Sequence, residues 1–178
     1  HLLRKALEKA GYGFIPVISL NFSGLESEHT GFKITLPILL RMFYCIEIAD
    51  LMMSLRNQCL PYEVNKGDTF KLEEEWFVKA SEILCKPNVK QKDITKLYKD
   101  IIVSFNNLPL DRSRKVVKVG IVGEIFVKFS PLGNNDLEKF LYSEGAEVVM
   151  AGLLDFCLYC IYNILDLHSS CINDKSLY

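Results

Sequence analysis

The chain lacks the features that mark several common binding classes. It has no charge of one sign to speak of: 21 basic residues face 22 acidic ones, for a net charge of -1. No overall field therefore draws it to nucleic acid or to an anionic membrane surface. It also lacks an unbroken apolar run. Arg41, Glu47 and Asp50 interrupt the stretch from Ile34 to Leu55, and Asp155 interrupts Val148 to Leu165. Both windows read as buried helices and not as membrane spans. The first ten residues hold no apolar core of signal-peptide type. Histidine is scarce, and His1, His29 and His168 stand apart from one another and from any cysteine pair, which gives no zinc-ligand pattern. No GxSxG occurs, and Ser23 has no base near it in sequence, so nucleophilic hydrolysis is a poor fit. Internal repeats and low-complexity segments are absent too.

What is present is a core's worth of apolar sequence. In 178 residues, 49% are hydrophobic, enough for one domain or two small lobes. The six cysteines are scattered through apolar surroundings, as reduced thiols of a cytoplasmic protein would be. Cys157 and Cys160 form one CxxC, but no second pair follows and the flanks are Phe156, Leu158, Tyr159 and Ile161. The expectation is two buried small hydrophobes.

Periodicity predicts a helix over Leu2 to Ala10 stopped by Gly11, then a β-rich run, Ile15 to Leu20. A long helix follows from about Ile34 to Arg56, with Pro37 in its first turn and apolar residues on nearly every side, as for a helix clamped between neighbours. Thr69 to Leu84 and Asp93 to Phe105 read as amphipathic helices. The middle is thus a long helical insertion between strands. Asp111 to Lys115, DRSRK, is the candidate boundary between a strand-plus-helix segment (1–112) and an α/β lobe (113–178). In that lobe the order is strand (Val116 to Val122), loop, helix (Asp136 to Ser143), strand (Glu147 to Met150) and helix (Leu153 to Leu165). The fold class expected is α/β and helix-rich, with a small parallel sheet, a Rossmann- or flavodoxin-like half. A sheet this small, and a start at His1 without Met, lead us to expect a fragment of a larger multidomain protein.

The candidate site residues follow from strand direction. Gly120 and Gly123 are only part of a dinucleotide fingerprint, whose third glycine has no counterpart here. Gly123 and Glu124 should nonetheless stand at the carboxyl rim of the sheet, where parallel sheets place ligands, together with a loop containing Gly133, Asn134 and Asn135. That loop could offer backbone N–H groups to a carboxylate or phosphate. Asn135 also suits the N-cap of the next helix, with Glu138 completing a capping box. Asn21 and Ser23, in NFSGLE after the first strand run, form a second candidate loop. On the residues alone, a small-ligand enzyme using Glu124 and a non-catalytic interaction or scaffold domain both stay open.

Two longer stretches carry a resemblance. PVISLNFSGLE with GFKITLPILLRMFYCIEIADLMMSLRNQCLPYEVNKG, and KVGIVGEIFVKFSPLGNNDLEKFLYSEGAEVVMAGLLDFCLYCIYN, resemble the C-terminal region of proteins related to 2-hydroxyacyl-CoA dehydratase activators of anaerobic bacteria. The resemblance implies a dehydratase- or benzoyl-CoA-reductase-like module of α/β lobes. It also implies a parent protein with a [4Fe-4S] cluster and ATP-driven electron delivery, partnered by its own remaining domains and by an acyl-CoA. The family's cluster cysteines and its phosphate-binding motif have no match here, so neither cluster nor ATP is expected on this segment.

Overall fold

In the computed structural model, residues 2–15, 17 and 35–174 are described, with side chains as far as residue 163. The expected strand at Ile15 to Leu20 and the Asn21–Ser23 candidates lie outside the described residues. The chain forms two compact units, His1–Leu39 and Leu40–Tyr178. The boundary expected at Asp111 to Lys115 falls inside the second unit.

In the first unit, helix α1 (Leu2–Lys9) ends as expected at Gly11, whose φ of +83° is cheap only without a Cβ. The long helix is α2 (Leu36–Cys59); its residues from Leu40 onward belong to the second unit. There it joins α3 (Asp68–Leu84) and α4 (Gln91–Asn106) around one core. The sequence explains why these helices pack. Thr69, Glu73, Trp76, Ala80 and Leu84 bury one stripe of α3, and Ile94, Leu97, Ile101 and Phe105 one stripe of α4. On α2 the expected all-round burial is not found. Ile48 and Met52 enter the core and Asp50, on the opposite side, holds the start of α8, but nearer the start of α2 Leu40 is 48% and Phe43 42% exposed.

A parallel pair, β1 (Lys118–Ile121) and β2 (Glu147–Met150), completes the unit, registered Lys118 to Glu147 and Ile121 to Met150. The expected parallel arrangement is present, in a helix-rich chain. The stretch between the strands differs from expectation. Instead of one loop and one helix it holds α5 (Ile125–Phe129), α6 (Pro131–Asn134) and α7 (Leu137–Ser143). Short helices form there because caps sit at close intervals. The Glu124 carboxylate accepts from Val127 N–H at 3.1 Å, and Ser130 Oγ from Gly133 N–H at 3.3 Å. Helix α8 (Leu153–Asp174) follows β2. No described helix is long and apolar enough to cross a membrane.

Charged groups tie the sheet to the helices. Glu147 is buried, yet receives Tyr62 Oη at 2.7 Å and Lys118 Nζ at 2.8 Å. Burial pushes its carboxyl pKa up, but the hydrogen bonds from Lys118 and Tyr62 outweigh this and hold it below the ordinary value. The sign follows: a depressed carboxylate stabilises the fold above its unfolded pKa, about 4.3, and loses that contribution as pH falls through the folded value. Tyr62→Phe should therefore shift the midpoint of acid unfolding to higher pH in a circular-dichroism titration. An unmoved midpoint would rule out this linkage.

Candidate functional site

The described part of the second unit holds an apolar groove of about 620 Å³ at the carboxyl end of the parallel strands. That volume suits a small ligand. Its walls come from four elements. Helix α2 supplies Met53 and Arg56 three residues apart on one face, and α3 supplies Glu73 and Phe77 one turn apart. From α5 come Phe126 and Phe129, and Leu153 opens α8. Strand direction accounts for the last two. Each strand runs toward the groove, and the helix after it begins there.

One end of the groove is charged. Arg56 Nη1 lies 3.2 Å from Glu73 Oε1, and its Nη2 3.4 Å from Glu138 Oε1. Its guanidinium also sits 5.9 Å from the centre of the Tyr142 ring. Burial alone would lower the Arg56 pKa, but Glu73, Tyr142 and Glu138 reverse that and raise it. Burial raises the Glu73 carboxyl even against Arg56's pull. Tyr142, pushed up to about 12 chiefly by burial, stays a neutral phenol that donates to Asn57 Oδ1 at 2.7 Å. An apolar slot closed by a neutralised guanidinium suits a ligand with a hydrocarbon arm and a polar end.

Asp50, also on the wall, clasps α8 to α2. Its carboxylate accepts from the N–H groups of Leu153 at 3.0 Å and Leu154 at 2.7 Å, satisfying donors that a helix start leaves free. Gly152 lies so close that a Cβ there would come 2.4 Å from Asp50 Oδ2. A second carboxylate, Glu63 in PYEV, is buried and accepts from Gly67 N–H and Thr69 N–H, capping α3.

The residues singled out in the sequence are placed differently from one another. Gly123, at φ +154°, and Glu124 do stand just past β1, and Glu124 is exposed, but its carboxylate caps α5. The N–H groups of Gly133 and Asn134 bond to Ser130 inside α6, so they are turned to the helix and not to a ligand. Asn135 is not the N-cap of α7. It ends α6 in the left-handed region at φ +55°, and Asn134 Oδ1 accepts from Leu137 N–H instead. Glu138 pairs with Arg56 and closes no capping box. Cys157 and Cys160 are half-buried, not buried.

Two contributors to the groove escaped sequence reasoning: Arg56 with Glu73, and Asp50. Each was a charge within a helical pattern, and only a partner in another element reveals its role. Iron–sulfur clusters take cysteine thiolates as a set, four as a rule. Among the described residues no group of three or more His, Cys, Asp or Glu is placed to hold a metal ion. No family model matches the chain, and neither the curated proteins nor the solved structures compared with it give a match.

Proposed function

We propose that this chain is part of a protein related to the 2-hydroxyacyl-CoA dehydratase activators, inactive when isolated, and that its groove receives the acyl arm of an acyl-CoA. The helix-rich α/β architecture agrees with such a module, as does a Rossmann- or flavodoxin-like reading of the strand pair. The observation that carries the proposal is the groove itself, apolar along Met53, Phe77, Phe126 and Phe129 and closed by Arg56 and Glu73. An acyl chain fills such a slot by hydrophobic transfer, at about 0.8 kcal/mol per buried methylene.

A melting curve tests this with butyryl-CoA and hexanoyl-CoA against CoA alone. At a hundredfold excess over Kd, ligand binding adds about 2.7 kcal/mol, a rise in Tm of roughly 5–10 °C. The longer chain should act at lower concentration, and Phe126→Asp, at a side chain already 65% exposed, should abolish the response without unfolding the protein. Equal responses to CoA and hexanoyl-CoA, or none to either, would refute the proposal.

A second reading, a non-catalytic interaction domain, is favoured by one observation. Val122 is 92% and Leu132 90% exposed beside the groove. Scattered apolar exposure is ordinary, but large side chains this bare, on the segment that carries α5 and α6, suit contact with the remaining domains of a parent chain.

A further inference from the structure

Helices α2 and α3 share a seam that runs past the groove and ends in two thiols. Arg56 meets Glu73 across it, and Met53 and Phe77 continue it. Eleven residues back along α2 from Arg56 stands Cys45; twelve residues on from Glu73, at the C-cap of α3, stands Cys85. At 1.5 Å per residue these steps are rises of about 17 and 18 Å, which bring the two cysteines to the same level of the antiparallel pair. The far end of the seam is also fixed. One turn before Cys45, Arg41 Nη2 donates to the carbonyls of Lys86 at 2.9 Å and Pro87 at 2.8 Å, immediately after Cys85. Tyr44 Oη reaches Gln91 Oε1 at 2.6 Å beside them. Both thiols are free and solvent-exposed.

We infer that Cys45 and Cys85 form a reversible redox pair that closes to an intramolecular disulfide in the presence of a small-molecule disulfide. The Cys85 thiolate attacks one sulfur of the reagent and expels one thiolate, leaving a mixed disulfide on Cys85. The Cys45 thiolate then attacks Cys85 Sγ and expels the second. Two protein thiols are oxidised, one reagent disulfide is reduced to two thiols, and the two protons that the protein thiols give up are taken by the expelled thiolates. The order follows from Cys45, whose thiol burial and the neighbouring Cys85 push upward, making it the poorer first attacker. The closed bridge pins α2 to the end of α3, and so restrains the two helices that carry Met53, Arg56, Glu73 and Phe77. This pair stands whether or not the groove takes an acyl-CoA.

Oxidised glutathione is the probe. Incubation with the folded chain, an acid quench and peptide mass mapping without reductant should find one cross-link, joining the Cys45 and Cys85 peptides. Free thiols should fall from six to four, with no glutathione retained at either position. The bridged form should melt roughly 5–10 °C higher. In Cys45→Ser, Cys85 should retain a glutathione adduct that the wild type does not accumulate. A cross-link through Cys157 and Cys160, or a wild type in which glutathione stays on Cys85 and no bridge appears, would overturn the inference.

Discussion

Replacing Arg56 by Met should destabilise the fold by about 3 kcal/mol at neutral pH, measured by urea unfolding. The cause is what remains. Glu73 has a side chain only 9% exposed, and its carboxylate would keep no guanidinium at 3.2 Å. A buried carboxylate without a partner is costly, whereas an apolar pair of similar volume is not. Arg56→Met combined with Glu73→Leu should therefore recover most of the loss. The pH dependence has a defined sign. A carboxyl whose folded pKa is raised favours the folded state below its unfolded value and loses that contribution as pH rises through the folded one. Burial already raises Glu73, and losing Arg56 raises it further. The deficit of Arg56→Met should thus shrink as pH is lowered from 7 towards 5. A loss below about 1 kcal/mol, constant over that range, would show that the pair is a solvated surface contact.

Gly152→Ala should cost about 2–3 kcal/mol, although nothing in the backbone at this position forbids a side chain. The conflict is with Asp50, whose Cγ would lie 2.5 Å from the new Cβ. To make room, the carboxylate must leave the N–H groups of Leu153 and Leu154. Asp50→Ala alone should cost about 1–2 kcal/mol, through loss of the cap. The decisive measurement is the double variant. With the carboxylate gone the contacts to Oδ2 and Cγ are gone and only that to Cβ, at 3.0 Å, remains, so Gly152→Ala should cost far less in the Asp50→Ala background than alone, a strong departure from additivity. Additive losses would mean that Gly152 is constrained by something other than Asp50.

What the sequence made legible was periodic. The helix at α3 was readable from a buried stripe at Trp76, Ala80 and Leu84, and the parallel pair from two short β-rich runs separated by a helical one. Such patterns are local, and a side-chain period reports which face is buried. The groove was not legible, because its charged end joins residues 17 and 82 positions apart. Glu124 looked like a rim carboxylate and does stand at the rim, but the same residue type at the same place also caps a helix, and sequence cannot choose between the two. Asn135 misled for a related reason. Asparagine serves both N-caps and left-handed turns, and here it takes the second role at φ +55°. Caps supplied from a distance have no spacing rule at all, which hid the service of Asp50 to α8.

The clasp of Asp50 on α8 also sets an order in time. The two partners are 103 residues apart for Leu153 and 104 for Leu154. On a ribosome adding about 5–20 residues per second, Asp50 is made several seconds before its partners exist. Helices α2, α3 and α4 can meet during that interval, since the bonds between them, from Arg56–Glu73 at 17 residues to Glu47–Tyr98 at 51, need only the first part of that chain. The start of α8 cannot be capped until the chain has closed over a hundred residues, and closure on that scale is slow compared with the winding of a helix. The groove wall that Leu153 provides is therefore among the last parts of the described fold to be built.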